Sequence, residues 1–386
     1  MTCSPRIADG LGVPRGYLGL AYDESTQVAV ELAATPPASR AVEQEEARQL
    51  LAHAANVTME VTVDDMAKWW QPVDRQPTPA PARIGQADID QVEQITAALR
   101  GLDFRFGGGA CRDAIVAQVA SAQRLLHATY SEQVGRRLHL ALADLHNLAG
   151  WASLDVGLPT PARRHFARAL EQARVVDDAS LIADVLCRMG RLHQDRGMLR
   201  VALRFFQLAQ IAAQDSGDPL TVAMVCADEA WVYALLDDPT QAFTSLARAQ
   251  DEYARAGRAR APWLEEFDEA DLHAMAGRMH VSLPRADETQ LARGIELLSQ
   301  STTEKRPEYT RGQVFNLTFL ATAYIRAGDY DPAERAAREA LGLAASVRSA
   351  RTLARLEPLQ VAARQHAEAG NDLADIAHEI AALRTA

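Results

Sequence analysis

The sequence has almost no lysine and few aromatic residues. Lysine occurs only at Lys68 and Lys305, and phenylalanine, tryptophan and tyrosine together make up 6% of the 386 residues. Positive charge is therefore carried almost entirely by arginine, whose guanidinium group forms fork-like hydrogen bonds. Runs of β-branched residues are also scarce, while alanine and leucine dominate the apolar residues. This composition favours helices over strands.

Neighbouring cysteines and long apolar runs are missing as well. The four cysteines lie far apart, at Cys3, Cys111, Cys187 and Cys226, which predicts reduced, packed thiols in a cytoplasmic protein. No stretch of 18 apolar residues occurs, and the N-terminus has no charged start followed by an apolar run. The sequence therefore predicts neither a membrane span nor a signal peptide.

Patterns that carry catalysis or metal binding are also lacking. The glycine run Gly107–Gly109 has no following Gly-Lys-Ser/Thr and no preceding strand, so we interpret it as a flexible turn between helices. The histidine pairs His139/His146 and His273/His280 are two helical turns apart, and no Cys/His cluster completes a metal shell. We therefore expect a protein that is not an enzyme and that needs no cofactor.

The net charge of −11 argues against nucleic-acid contacts spread over the whole surface. It still leaves room for a small basic element that reads DNA. The charge of the whole chain therefore restricts the extent of a DNA interface without excluding one.

A proline-rich segment divides the sequence. Four prolines within residues 71–81 cannot continue a helix and favour an extended linker. We predict a helical N-terminal region over 1–70, a linker over 71–86, a helical connector over 87–130 and a repeat domain over 131–386. In the connector we expect one helix from Ala87 to Leu102, a stop at the glycine run and a second helix from Arg112 to Tyr130.

The repeat domain is defined by internal similarity. Ala143–Asp178 aligns with Ala183–Asp218 at a constant offset, and further copies follow. The aligned pairs are Gly150 and Gly190, Gly157 and Gly197, Ala162 and Ala202, Phe166 and Phe206, and Ala169 and Ala209. The later copies carry Ala230, Ala242, Leu246 and Ala249, then Ala270 and Gly277, then Ala321, Gly328, Ala333, Ala337 and Ala340. We expect an insertion around Val281–Thr289 and a sixth, weaker pair from Thr352 to Leu383 with Gly370 at its turn.

The residue types in each copy have a physical reason. A small residue midway along the first helix lets the second helix approach closely, and a glycine seven residues later permits the positive φ that ends a helix. Thr160-Pro161, Pro239-Thr240 and Asp331-Pro332 then mark the starts of second helices. This pattern resembles the tetratricopeptide repeat. The resemblance implies an all-α, right-handed superhelix of helix pairs.

The first residues carry a second resemblance. The run Ile7-Ala8-Asp9-Gly10-Leu11-Gly12-Val13-Pro14 resembles the end of a Cro-type (XRE-family) helix-turn-helix domain. Arg83-Ile84-Gly85, Gly107-Gly108-Gly109-Ala110 and Arg112-Asp113-Ala114 resemble the region that follows in regulators of this family from high-GC bacteria. In that family tetratricopeptide-like repeats complete the chain.

The sequence departs from the family at its start. The helix pair that enters the major groove should precede Ser4, so no residue can be assigned to reading DNA bases. We expect either a start further upstream or a truncated regulator, and we expect DNA binding only if an upstream helix-turn-helix exists. The leading hypothesis is the sensor part of a transcriptional regulator, and the alternative is a stand-alone adaptor or scaffold without a DNA role.

The resemblance to tetratricopeptide repeats also indicates a binding groove. In that family the residue after the small mid-helix residue points into the concave side, and side chains one turn away join it. The groove would bind a peptide, a protein or a small effector, and the chain could form a homodimer; packing of Trp151 and Trp231 between repeats is the alternative. The predicted groove residues are Asn147, Trp151, Arg191, Gln194, Trp231, Asp271, Thr322 and Arg326.

Overall fold

The computed structural model describes residues 79–304, 308–368 and 372–385. They belong to one compact unit that spans residues 77–386. Over these ranges the chain is helical and contains no strand, apart from one isolated bridge between Arg83 and Thr129. The predicted all-α helical-repeat fold is confirmed. The predicted N-terminal region 1–70 lies outside the described residues, and the domain boundaries stay predictions.

Two helices precede the repeats, and the repeats follow as consecutive pairs. The first two are α1 (Gln86–Phe106) and α2 (Gly108–Arg124). The pairs are α3 (Glu132–Asp155) with α4 (Pro159–Val176), α5 (Ala179–Asp195) with α6 (Leu199–Ser216), α7 (Pro219–Leu235) with α8 (Pro239–Arg255), α9 (Glu269–Ser282) with α10 (Glu288–Glu304), and α11 (Thr310–Ala327) with α12 (Tyr330–Ala344). Three shorter helices end the chain: α13 (Ala350–Arg355), α14 (Glu357–Gln365) and α15 (Leu373–Thr385). None of the helices described here is both long and apolar enough to span a membrane.

Each pair packs as the small and large residues predict. A Cβ added at Gly190 would lie 2.5 Å from the ring of Phe206, and one at Gly150 would lie 2.6 Å from the ring of Phe166. Phe166 and Phe206 are completely buried. The glycines are therefore required for the second helix of each pair to approach the first.

The predicted turns between paired helices are also confirmed. Gly157, Gly197 and Gly328 have φ values of 80°, 70° and 81°, and Asp237 takes the same left-handed conformation in the third copy. Left-handed φ values end the first helix because L-residues cannot continue an α-helix through them. Three of the second helices, α4, α8 and α12, then begin with proline in their first turn.

The glycine run does separate two helices as predicted, but the turn is shorter than expected and the second helix has other bounds. Only Gly107 is a turn residue, with φ 80°, and α2 begins at Gly108 and ends at Arg124 rather than Tyr130. A Cβ at Gly108 would lie 2.6 Å from the carbonyl oxygen of Ala152, and one at Gly109 would lie 2.7 Å from that of Arg348. These glycines are therefore needed for close packing rather than for flexibility.

The alignment of the fourth copy is also wrong, by two helical turns. Gly277 lies in the middle of α9 and does not end it. A Cβ there would lie 2.7 Å from Leu298, so Gly277 takes the place that Gly150 and Gly190 take in their copies. The main insertion lies before α9, in the connection 256–268, and a smaller one separates α9 from α10.

The end of the repeat array returns to its beginning. The backbone N–H of Gly109 donates to the carbonyl of Arg348 at 2.9 Å, and the N–H of Arg348 donates to the carbonyl of Phe106 at 2.8 Å. The Ser349 hydroxyl caps α13 and also donates to Asp155 at the end of α3. The segment 347–355, called the closing segment below, therefore lies across the first helices of the repeats.

Candidate functional site

The first helices of the repeats surround a small polar cavity, called the central cavity here. Its walls include three tryptophans from three different parts of the array and five arginines. The volume of the cavity, measured as the space open to the centres of water-sized molecules, is about 80 Å³. The aromatic and arginine lining residues used below are Trp151, Trp231, Trp263, Arg278, Arg311 and Arg351.

Trp151 is buried among guanidinium groups. Its side chain follows Gly150 on α3 and is 5% exposed. Arg351 from the closing segment lies 4.7 Å from the ring centroid, Arg188 lies 5.2 Å away and Arg311 lies 5.5 Å away. Cation–π contacts of this kind strengthen when water is excluded. Trp151 thus joins α3 to helices that are remote from it in the sequence.

Two aspartates hold the arginines of α5. Asp184 accepts from Arg188 at 2.9 Å and from the amide of Asn147 at 2.6 Å. Asp228 on α7 pairs with Arg191 at 2.8 Å. Because each carboxylate accepts several donors, these ion pairs have the satisfied geometry that buried charges require.

Trp231 on α7 lies between guanidinium groups of two other helices. Arg278 on α9 lies 5.3 Å from its ring centroid, and Arg355 lies 5.0 Å away. Its indole N–H donates to the hydroxyl of Ser282 at 3.0 Å. With its polar edge satisfied, Trp231 offers its faces to cations.

Asp195 anchors the closing segment. It lies in the last turn of α5 and pairs with both Arg351 and Arg355. Burial disfavours the charge of Asp195, but the two guanidinium groups hold the pKa of this carboxyl below its ordinary value. One buried carboxylate therefore forms ion pairs with two arginines of the closing segment.

A second carboxylate near the cavity is held in a different electrostatic state. Asp103 on α1 is fully buried and faces Arg311 at 2.9 Å. Burial raises the pKa of Asp103 to about 6, although the neighbouring Arg311 opposes this rise. Asp103 can therefore gain a proton in mildly acidic solution.

A larger side cavity adjoins the central one. On the same measure its volume is about 560 Å³, and Gln194 and Trp231 line both cavities. Its remaining walls come mainly from α9, α11 and the closing segment, and they are mostly apolar. Trp231 therefore separates a charged compartment from a more apolar one.

The predicted groove residues are brought to these two cavities, with one exception. Trp151, Arg191, Gln194, Trp231 and Asp271 line the central cavity. Thr322 and Arg326 line the side cavity. Asn147 is completely buried and bonds to Asp184 instead. Their function in binding stays a prediction.

Sequence reasoning missed the arginines that complete the walls. With Gly277 in its observed place, the residue after the small mid-helix residue in the fourth copy is Arg278 rather than Asp271. The correct register of α9 would have identified it. No local pattern identifies Arg311, Arg351 or Arg355, because they come from helices outside that register.

No protein-family model and no curated protein matches this chain. A solved structure, BtubC (BKLC) from P. vanneervenii, is similar over 62% of this chain and 91% of its own length, with 17% sequence identity and a TM-score of 0.43.

Proposed function

We propose that this chain is the sensor part of a transcriptional regulator and that it binds a small effector in the central cavity. The observation that carries the proposal is the cavity itself, whose walls come from repeats at both ends of the array and from the closing segment. A ligand there would contact helices that are far apart in the sequence. Its binding could therefore change how the repeats pack, provided that it favours one packing over another.

The size and the lining of the cavity favour a small molecule over an extended peptide. The closing segment and the connection 256–268 both contribute side chains to the walls, through Arg351 and through Trp263 and Phe267. An extended peptide needs a continuous open groove, and here side chains of the same chain occupy that space. We also propose that the protein acts by binding and not as an enzyme.

The alternative function is that of an adaptor without a DNA role. Helical-repeat folds generally serve protein interaction, and this fold is of that kind. An adaptor would bind a folded partner or a peptide on its outer faces, and the central cavity would then only stabilise the array.

Thermal unfolding of the wild-type chain and of Trp231→Ala, against a library of small metabolites, tests the proposal. Trp231 lines both cavities, so a ligand that stabilises the wild type should lose its effect in this variant. Ile211→Ala is the control because Ile211 is an exposed side chain on α6. A ligand that stabilises all three chains equally would place its site elsewhere.

A second experiment separates the regulator from the adaptor. The gene is replaced by one that encodes Trp231→Ala, and transcripts are measured together with co-purifying proteins. A regulator should change the transcription of a defined set of genes when the cavity is disturbed. Unchanged transcripts with a lost protein partner would favour the adaptor.

A further inference from the structure

Arg278 differs from the other arginines that line the central cavity. The other four each pair with a carboxylate: Arg188 with Asp184, Arg191 with Asp228, Arg311 with Asp103, and Arg351 with Asp195. Among the residues that the structure describes, Arg278 has no carboxylate within ion-pair distance. It donates through Nε to the carbonyl of Ala274 at 3.2 Å and through Nη2 to the amide oxygen of Asn316 at 3.3 Å.

These two bonds leave part of the guanidinium group without an acceptor. Arginine has five N–H donors in a planar fork. The protein atoms described here provide no acceptor for Nη1 of Arg278, and the side chain lines the cavity. Arg278 therefore keeps donors that a ligand in the cavity could use.

Positive charge is in local excess around Trp231. Arg278 and Arg355 both lie over its ring, and Arg351 and Arg355 share the single carboxylate of Asp195. Burial lowers the pKa of Arg278 to about 10, and the nearby Arg355 and Arg191 contribute to this shift. The group is still protonated at neutral pH, so a cation without an ion-pair partner lines the cavity.

The acidic residues of the cavity form no ion pair with Arg278 at the distances that the structure shows. Asp184 and Asp228 are held by their arginines on α5. Asp271 and Glu266 also line the cavity, and both have polar interactions of their own. Asp271 favours the charge of Arg278 from two helical turns away on α9, which is too far for an ion pair.

We propose that the central cavity binds a small oxyanion, a carboxylate or a phosphate, on the guanidinium group of Arg278 beside the face of Trp231. This inference rests on the proposed function and specifies the chemical class of the effector. Arginine suits both groups because its fork matches two oxygens of either one. A buried water needs roughly 10–15 Å³ of cavity volume, so the cavity of about 80 Å³ has room for a small molecule larger than a water.

Titration of the whole chain with inorganic phosphate and with malonate tests the proposal. Ionic strength is held constant with sodium chloride, and both calorimetry and tryptophan fluorescence are recorded. We expect at least one of the two probes to bind saturably and to change the emission of Trp231. Arg278→Gln should weaken this binding by about tenfold or more, since it removes a charge-assisted hydrogen bond. Preference for phosphate or for malonate distinguishes the two sources of the oxyanion.

Arg335→Gln is the matched control because Arg335 is exposed on α12 and carries the same charge. It should bind the probes like the wild type. Arg278→Lys, which keeps the charge and loses the fork, should bind with intermediate affinity. Circular dichroism of every variant shows whether the helices are folded. If Arg278→Gln is not folded, weaker binding of the probes by Arg278→Lys than by the wild type is the test instead.

Three outcomes of the titrations would overturn the inference. They are the absence of saturable binding by either probe in the wild type, equal binding by Arg278→Gln and the wild type, and an equal loss of binding in Arg335→Gln. A neutral ligand that depends on Trp231 but not on Arg278 would also overturn it and would leave the proposed function intact. If no small molecule depends on Trp231, the proposed function fails as well.

Discussion

At the scale of single residues, glycines of first helices closely approach phenylalanines of second helices. A methyl group at Gly190 would overlap the ring of Phe206, which is completely buried and cannot move into solvent. We predict that Gly190→Ala lowers the free energy of unfolding by about 1–3 kcal/mol through overpacking, as measured by urea denaturation.

Gly342→Ala is the control for this substitution. Gly342 is exposed within α12, and an added Cβ would meet nothing within 4 Å. Alanine favours helix over glycine by up to about 1 kcal/mol, so this variant should be as stable as the wild type or more stable. Equal stability of Gly190→Ala and the wild type would show that Phe206 moves aside without cost.

The pH dependence of stability can be predicted at Glu229. This carboxyl on α7 accepts from Gln210, and burial raises its pKa to about 7 from an ordinary value of 4.5. The folded state binds the proton of Glu229 more tightly than the unfolded state does. The resulting contribution to the free energy of unfolding is fully present below the ordinary pKa of 4.5 and is lost as the pH rises through 7. At pH 8 the Glu229→Gln variant should therefore be more stable than the wild type, by about 2–3 kcal/mol.

Denaturation of Glu229→Gln and wild type between pH 5 and pH 8 checks this prediction. The difference in unfolding free energy should shrink towards pH 5. Glu339→Gln removes an exposed carboxylate from α12 and should leave the pH dependence unchanged. A difference that is constant over this range would mean that Glu229 ionises in the folded protein as it does in the unfolded one.

Residue-scale prediction from the sequence succeeded where the repeat was regular. Gly150, Gly190 and their phenylalanine partners follow from the spacing, because a small residue facing a large one is a local requirement of helix pairing. Arg278 was missed because the longer connection before α9 shifts the register by two turns. Loop length is not constrained by the helical period, so an alignment that assumes a constant offset places such a helix wrongly.

At the scale of elements, the closing segment is held mainly by charge. Asp195 pairs with Arg351 and Arg355, which also lie over Trp151, Phe315 and Trp231. Asp195→Asn would leave two guanidinium groups in this site without their carboxylate. We predict that it lowers the free energy of unfolding by roughly 3–5 kcal/mol and makes residues 346–356 more sensitive to limited proteolysis.

The control for Asp195 is an ion pair of the same type on the surface. Arg338 and Asp372 pair at 2.6 Å, and about half of each side chain is exposed. Asp372→Asn should change stability by less than about 1 kcal/mol. If both variants lose the same stability, the closing segment does not depend on Asp195.

This element could not be predicted from local sequence. The predicted sixth helix pair is present as α14 and α15, which pack against each other, but the sequence did not predict the short α13 before it. Ser349 bonds to Asp155, which lies 194 residues earlier. Helical periodicity reports which face of a helix is buried but not which distant helix covers it, so the closure depends on the path of the whole array.

At the scale of the whole repeat unit, the closure changes the expected cooperativity. In a simple repeat array each repeat contacts only its neighbours, so stability is a sum of local terms and ends can unfold first. Here α11 and the closing segment also contact α1, α3 and α5, through Arg311 with Asp103, Ser349 with Asp155, and Arg351 with Asp195. These contacts join the first and last repeats in one cooperative structure.

We therefore predict that the wild-type repeat unit unfolds in a single transition, and that Asp195→Asn separates it into two. Trp69 and Trp70 are replaced by phenylalanine in every chain, so that fluorescence reports only Trp151, Trp231 and Trp263 near the central cavity.

Urea curves from fluorescence and from circular dichroism should then coincide for the otherwise unchanged chain, because coincident probes indicate two-state unfolding. In Asp195→Asn the fluorescence transition should come at lower urea than the helical one, since the closure is lost before the individual pairs, whereas Asp372→Asn should keep the two curves together. Separate curves in the unchanged chain would mean that the contacts between the ends are too weak to couple the repeats.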